Sequence, residues 1–487
     1  MQRCSMLSLF VLFTLTVLCS PVQAKPNVLL ILVDDLKPSF GAYGEEWVHS
    51  PNLDRLAARG MRFENAYCNQ AVCAPSRNNL MIGSRSTSTG VYSLGMHFRK
   101  AVPEAVTLPQ YFKNHGYHSA GIGKVFHIGH GNINDKHSWS IPFHPDKVID
   151  YVLPESTDGQ VTREQALFSN QSANGLPRGA AWENADVADG DYADGRIAAE
   201  AIKRLQNYKQ QQTPFFLAVG FTKPHLPFCA PRKYWELYDR EQMPLAEFRT
   251  QPDGAPNYAH KKLGEINQYK PIENKWPIPE EQQKTLIHGY YAALSYMDSQ
   301  LGRVIDELDR LKLSENTIIV LWGDHGYHLG DHGSWTKHSN YEQAVRIPIL
   351  CVAPGITKPN SSSQAMVETV DILPSIVELA GLPAHTGPQP IDGSSFVPVL
   401  KGEVQTVDDH AYHCFPRGGR MGRCIRTERY RLVEWKPMRN PKANTEYELY
   451  DYQEDPLETV NLASQQPEVL KSLLEKLNTH PPAVHIR

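Results

Sequence analysis

Four polar clusters in this 487-residue chain carry side chains suited to chemistry. Asp34-Asp35 and Asp324-His325 together offer hard oxygen donors and one imidazole, a set that suits a divalent cation of the calcium type better than a structural zinc. Adjacent carboxylates also open solvated turns or cap helices; what points to a metal is the recurrence of an acidic pair's chemistry in Asp324-His325-Gly326 after a second apolar run. Lys124, His127, His225 and Lys337 could donate to the peripheral oxygens of an anionic substrate, although a lone histidine or lysine is more often a surface or satisfied core residue. Cys73, in Cys73-Ala74-Pro75-Ser76-Arg77, stands open to three readings: a buried inert thiol, a disulfide partner of Cys68, or a nucleophile activated by a nearby cation. Pro75 restricts the backbone and Ser76-Arg77 starts a helix, so position 73 projects from a helix N-terminus, where negative charge is favoured.

The elements that must position these groups are legible as a repeating theme, an apolar β-branched run followed by a segment of helical periodicity. That alternation predicts an α/β fold with a largely parallel sheet sandwiched by helices. Asn27–Val33, Phe215–Val219 and Thr317–Leu321 read as buried strands, and Ser119–Ile122 as another. Helical stripes appear at Ile197, Ala201, Leu205 and Tyr208, and at Leu294, Met297, Leu301, Val304, Ile305 and Leu308. In open α/β sheets functional groups collect at the carboxyl ends of strands. Here those ends read Asp34-Asp35, Gly123 to His127, Lys223-Pro224-His225 and Gly323 to Gly326, which predicts convergence on one rim. A Pro- and Gly-rich stretch from Pro383 to Gly393 precedes a change of character, so residues 25–400 are expected to form the main domain and 401–487 a small C-terminal α+β subdomain with an antiparallel sheet. In the latter, Cys424–Val433 and Tyr447–Asp451 alternate like half-exposed strands, and a last helix is expected over Glu468–Asn478.

Composition narrows the partners. With 49 basic and 53 acidic residues the formal net charge is -4, which supplies no global field for nucleic acid or anionic membrane, so an anionic substrate must be held by local cations. Residues 1–24 read as a signal peptide, with an apolar stretch from Met6 to Leu18 too short to span a membrane and small residues before Lys25. No later run is long and apolar enough for an integral membrane segment. An exported protein is expected, periplasmic or secreted, or lysosomal if the source is eukaryotic. Of the eight cysteines, Cys414 and Cys424 flank a Gly-rich loop and read as the best candidate disulfide.

The block Gln70-Ala71-Val72-Cys73-Ala74-Pro75-Ser76-Arg77 resembles the Cys-x-Pro-x-Arg signature of type I sulfatases of the alkaline phosphatase superfamily. Asn27 to Pro38, Ser50 to Ala57, Gly123 to His127, Ala218 to His225 and Asp324 to Lys337 extend the resemblance over nearly the whole chain after residue 24, closest to the iduronate-2-sulfatase branch, where Asp324-His325 replaces the more usual Asp-Asn. The resemblance implies a sulfuric ester hydrolase acting on a sulfated polysaccharide or an oligosaccharide derived from one. It implies that a maturation enzyme converts Cys73 to formylglycine, and that Asp34, Asp35, Asp324, His325 and residue 73 hold one calcium ion. A hydroxyl of the hydrated aldehyde would then attack sulfur, with Arg77 and the metal lowering its pKa. Lys124, His225 and Lys337 would neutralise the sulfate, His225 would protonate the leaving alcohol, and His127 would take a proton from the second hydroxyl so that sulfate leaves. The family's signature usually continues Leu-Thr-Gly-Arg, whereas this chain has Met81-Ile82-Gly83-Ser84 with arginine at Arg85. The stretch His413 to Arg423, with Arg417, Arg420 and Arg423, is a candidate contact for a sulfated or carboxylated sugar, or else a solvated basic loop. A phosphatase or phosphonate hydrolase would more often bring two metals and a serine or threonine nucleophile, and a glycan-binding protein would lack catalytic groups that are present here.

Overall fold

The computed structural model describes residues 25–439 and 444–484; the expected signal peptide lies outside the described residues. The apolar runs become strands β1 (Asn27–Val33), β2 (Met61–Tyr67), β3 (His118–Gly123), β4 (Phe215–Phe221), β5 (Thr317–Gly323), β6 (Ile349–Val352) and β7 (Ser361–Glu368). They form one sheet in the order β3-β4-β1-β5-β6-β2-β7. Neighbours among β3, β4, β1 and β5 are parallel, whereas β6 runs antiparallel to both β5 and β2. Register matters most for function: Val33 lies opposite both Phe221 and Gly323, and Gly123 opposite Gly220, so four adjacent strands finish level and deliver their succeeding residues to one rim.

Because side chains alternate across a strand, β1 sends Leu29, Ile31 and Val33 to one face and Val28, Leu30 and Leu32 to the other. Two cores result. The intervening helices are α1 (Pro51–Ala58), α2 (Cys73–Ile82), α3 (Leu108–Asn114), α4 (Ala193–Gln211), α5 (Glu280–Arg310) and α6 (Ile372–Leu379). On the first face lie the predicted stripes of α4 and α5, including Ile197, Leu205, Leu294 and Leu301; on the second lie Leu80 and Met81 of α2, Phe112 of α3 and Ile372 and Ile376 of α6. Each such aliphatic side chain contributes about 1.5–3 kcal/mol by leaving water.

A second sheet comes next, β8 (His410–Arg417), β9 (Arg420–Thr427), β10 (Tyr430–Pro437) and β11 (Glu446–Asp451), antiparallel throughout, with α7 (Pro467–Leu477) packed on it through Leu473 and Leu477. The run Cys424–Val433 is thus two strands rather than one, broken by a turn at Glu428-Arg429. The expected Cys414–Cys424 disulfide does not form. Cys414 is paired with Arg423, and Cys424 with His413, so a one-residue offset puts the two thiols on opposite faces of the sheet. All six described cysteines are free and buried, Cys68 and Cys73 among them. The second sheet is anchored next to α2: the Cys414 amide donates to the Asn69 carbonyl at 2.9 Å, and the Asn69 side chain donates to the Tyr412 carbonyl at 2.8 Å. No helix among the described residues is long and apolar enough to cross a membrane.

Candidate active site

The site is assembled from residues just beyond the carboxyl ends of the parallel strands. Asp34 and Asp35 end β1, and Asp35 is held in the left-handed region at φ 59, a conformation that costs a non-glycine residue about 1–3 kcal/mol and collects at functional sites. Its carbonyl accepts from the Tyr290 hydroxyl at 2.8 Å and its amide donates to Asp324 Oδ1 at 3.0 Å. Lys124 comes after β3 through Gly123, whose φ of 72 and whose contact with the Gly220 carbonyl leave no room for a Cβ, which would sit 2.2 Å from that oxygen. That close approach brings Lys124 Nζ onto Asp34 Oδ2. Cys73 is the first residue of α2 and Val72 before it provides no side-chain cap, so the positive end of the helix faces residue 73.

Around Cys73 Sγ the groups interlock. Arg77, fully buried one turn along α2, donates from Nε to Asp324 Oδ2 at 2.9 Å and from a terminal nitrogen to Asp34 Oδ1 at 3.0 Å, and it also bonds the Lys124 carbonyl. His325 Nε2 lies 3.2 Å from Cys73 Sγ, and its Nδ1 3.4 Å from Asp35 Oδ1. Lys337 Nζ donates to both Asp35 oxygens, at 3.0 and 3.2 Å. His225 Nδ1 is 2.5 Å from the Leu226 carbonyl, which leaves its Nε2 facing inward, 4.0 Å from Asp34 and 3.6 Å from Glu265. His127 Nε2 is 3.2 Å from His130 Nδ1, while its Nδ1 has no partner among the described residues.

The electrostatics test whether a cation fits. Burial pushes Asp35 up to about 7 against the pull of Lys337, with Asp34 adding repulsion, and burial also drives Asp324 well above the carboxylate range despite Arg77. Asp34 goes the other way, because Lys124, His225 and Arg77 together overcome its burial. The imidazoles are held neutral: burial, reinforced by Lys124 and Lys337, takes His225 down to about 3, and burial with Lys124 takes His127 well below its usual value. Two buried carboxylates, Asp35 and Asp324, are therefore short of positive charge beside a third that is well supplied. Ligand atoms of Asp34, Cys73, Asp324 and His325 lie within 4.8 Å of one another, as do those of Asp34, Asp35, Cys73 and His225. The oxygen-rich donor set fits a hard divalent cation.

A cleft of about 260 Å³ opens over residue 73, lined by Cys73, His127, His225 and Lys337. All ten residues singled out from the sequence meet at or directly beneath this cleft. The basic stretch of the second sheet divides: Arg417 bonds the His338 carbonyl at the rim, but Arg420 pairs with Glu446 and Arg423 is buried against Glu434. The cleft also holds groups that sequence reasoning missed, His130, Arg163, Glu164, Lys261, Glu265 and His338. Arg163 and Glu164 open the helix Arg163–Phe168 and Glu265 a 3-10 turn, the other three sit in irregular segments, and none directly follows a strand of the main sheet. The one signal in the chain was adjacency, since His130 lies close after His127 and His338 directly after Lys337.

A family described as Sulfatase matches residues 26–382, and one described as N-sulphoglucosamine sulphohydrolase, C-terminal, matches residues 330–481. The chain is similar to an iduronate 2-sulfatase of Mus musculus, 37% identical over 391 residues that cover 73% of this chain and 69% of the relative. It is similar as well to a protein of Formosa agariphila named sulfatase, 31% identical over 473 residues covering 93% and 87%. A solved structure described as a complex with its substrate D-glucosamine-2-N,6-O-disulfate shares the fold, with a TM-score of 0.71 at 21% identity over 94% of this chain and 99% of that one.

Proposed function

Since the chain belongs to the sulfatase family and is a sulfuric ester hydrolase, we propose that it hydrolyses a sulfate monoester on a carbohydrate, a glycosaminoglycan-like polysaccharide or an oligosaccharide derived from one. The activity for which the murine relative is named and the sulfated sugar bound by the structural neighbour support the substrate class. The observation that carries the mechanism is the convergence of Asp34, Asp35, Asp324 and His325 on the side chain that opens α2. Those four, with residue 73, would hold a calcium ion, which when bound would supply Lewis acidity to a hydroxyl of the hydrated formylglycine made from Cys73.

The remaining work falls to this chain's own side chains. Arg77, bonded to Asp34 and Asp324, holds both carboxylates in orientation and adds positive charge behind the nucleophile. Lys337, bonded to Asp35 at the cleft wall, and Lys124, bonded to Asp34 behind it, neutralise the peripheral oxygens of the ester. The Leu226 carbonyl accepts from His225 Nδ1, so Nε2 is the atom that faces the cleft, and it passes a proton to the departing alcohol only after taking one up from solvent when the anionic ester binds. His127 offers the partnerless Nδ1 to take a proton beside residue 73. Cys73 is only 1% exposed, so the formylglycine-generating enzyme must act before the chain folds. Export through residues 1–24 to the periplasm, the medium or a lysosome belongs to the same proposal, as does the division into a catalytic domain over 25–400 and a subdomain over 401–487.

The test is a panel of defined sulfated oligosaccharides assayed with the parent enzyme and with Cys73→Ala, together with the mass of the peptide that spans position 73. Sulfate release that survives the substitution, or an unconverted thiol in fully active enzyme, refutes the mechanism.

A further inference from the structure

Two carboxylates in the cleft, Glu164 and Glu265, serve neither the metal-ligand set nor any proton step, and Glu265 is the one against the proposed sulfate donors. Glu265 Oε2 lies 3.3 Å from Lys337 Nζ and 3.6 Å from His225 Nε2, the very donors proposed for the sulfate, and Oε1 accepts from the Tyr269 hydroxyl at 3.1 Å. Burial would raise this carboxyl, but Lys337, which also bonds it, and Lys124 hold it below the usual range, so it is charged. Its position is built rather than accidental. The Trp335 amide donates to the Lys262 carbonyl at 2.9 Å, and a Cβ on Gly264 would come within 2.3 Å of Thr336 Oγ1, so the loop bearing Glu265 is locked to the segment bearing Lys337.

An anion among the donors weakens the hold on any anionic substrate, and it weakens the hold on a doubly charged one more. In the shell of mutual contacts, Asp34, Asp35, Asp324 and Glu265 face three permanent cations, Arg77, Lys124 and Lys337. A divalent ion would leave a surplus of one positive charge, the complement of a sulfate monoester. A phosphate monoester carries about −1.5 to −2 at pH 7 and needs a surplus of two, which the shell would offer only without Glu265. Arg163, Glu164 and Lys261 line the outer cleft but form no ion pair within this shell among the described residues.

We propose that Glu265 sets the charge preference of the cleft, selecting singly charged sulfate esters against doubly charged phosphate esters of the same shape. The proposal rests on the sulfatase reading of the site. Glu265→Gln and Glu265→Asp are compared with the parent on 4-nitrophenyl sulfate, 4-nitrophenyl phosphate and the singly charged 4-nitrophenyl methylphosphonate at pH 8, as ratios of kcat/KM. Unit charges about 5 Å apart at an effective dielectric of about 20 correspond to a factor of a few hundred, so Glu265→Gln should raise the phosphate-to-sulfate ratio roughly 10- to 300-fold. The phosphonate should follow sulfate, and Glu265→Asp should keep the parent's preference. A ratio that stays within about twofold, or a phosphonate that rises with the phosphate, overturns the proposal. A second arm needs no turnover: calorimetric binding of inorganic sulfate and inorganic phosphate to Cys73→Ala, with and without Glu265→Gln. In that arm Cys73→Ala should favour sulfate, and the added substitution should shift the preference towards phosphate; tighter binding of phosphate by Cys73→Ala itself, or no shift, overturns the role of Glu265. A parent enzyme that cleaves no sulfate ester refutes the sulfatase reading instead, and leaves the ion-binding arm to decide on Glu265.

Discussion

Arg77→Met should destabilise the protein even where no catalysis is involved, because it strips the charge partner from two buried carboxylates. Arg77 and both of its partners, Asp34 and Asp324, have fully buried side chains, and the two ion pairs measure 3.0 and 2.9 Å. Breaking a buried pair from one side costs about 3–5 kcal/mol, chiefly through the charge left without compensation. The unfolding entropy of a chain this size is on the order of 1 kcal/mol/K, so the expected fall in Tm is about 3–5 °C. The measurement is calorimetry in chelator, which removes any divalent ion that could substitute for the guanidinium. Arg77→Lys should lose less, since it keeps the charge while giving up the two-pronged geometry. Asp324→Asn relieves part of the repulsion that Arg77 offsets, so the double variant should be more stable than the sum of the single losses implies, by about 1–3 kcal/mol. If the single losses add to within about 0.5 kcal/mol, or if Arg77→Met melts within about 1 °C of the parent, the buried pairs are not what holds the carboxylates together.

Calcium should raise the Tm of chelated protein in proportion to its logarithmic concentration above Kd, and Asp324→Asn should abolish that rise; an unchanged calcium response would remove Asp324 from the ligand set. Acid should destabilise the fold through His328, which is fully buried and, through burial and the neighbouring His332, held down at about 3. A base with a lowered folded pKa contributes stability that is intact above about 6.5 and is lost as pH falls towards 3, about 1.4 kcal/mol per unit. Urea unfolding at pH 7 and pH 5 should therefore differ by about 2 kcal/mol more in the parent than in His328→Gln, and equal differences would rule this histidine out. Gly123→Ala, whose Cβ would lie 2.2 Å from the Gly220 carbonyl, should cost about 2–3 kcal/mol and lower kcat through displacement of Lys124, so a variant of parental stability and rate would count against the close approach. Alkylation of denatured, unreduced protein should label Cys68, Cys229, Cys351, Cys414 and Cys424 alike; a peptide cross-linked through Cys414 and Cys424 would contradict the strand register.

The parallel half of the sheet was legible because strands buried on both faces must be apolar throughout. Asn27–Val33 is marked residue for residue in the sequence, and Phe215–Val219 and Thr317–Leu321 need only two residues more at their ends. β6 and β7 carried weaker signals. β6 is four residues long, and the first half of β7, Ser361 to Gln364, is polar and at most partly buried. The second sheet misled in two ways with one physical origin. Alternation runs unbroken through Glu428-Arg429 because a tight turn between half-buried strands preserves polarity on both sides, and Cys414 and Cys424 look pairable across a glycine-rich turn. Pairing, however, depends on register, and shifting by one residue sends a side chain to the other face.

The same contrast separates the chemistry that could be foreseen from that which could not. Asp34, Lys124, His225 and Asp324 are tied to the ends of adjacent parallel strands, and parallel register fixes where such residues must meet before any side-chain contact is known. Glu265 and Lys261 have no such tether. They come from an irregular segment whose place depends on Trp335 bonding Lys262 and on Thr336 leaving space only for a glycine at 264, contacts that lack periodicity and leave no pattern in the chain. Burial and the nearby Arg417 bring Lys261 down to about 8, and burial alone brings Arg417 down to about 10. Two crowded cations thus stand at the rim, with the carboxylates of Glu164 and Glu265 within. The residues proposed to act on the ester bond sit at strand ends and are readable in sequence. The group proposed to choose the anion sits on a loop, so it had to await the structure.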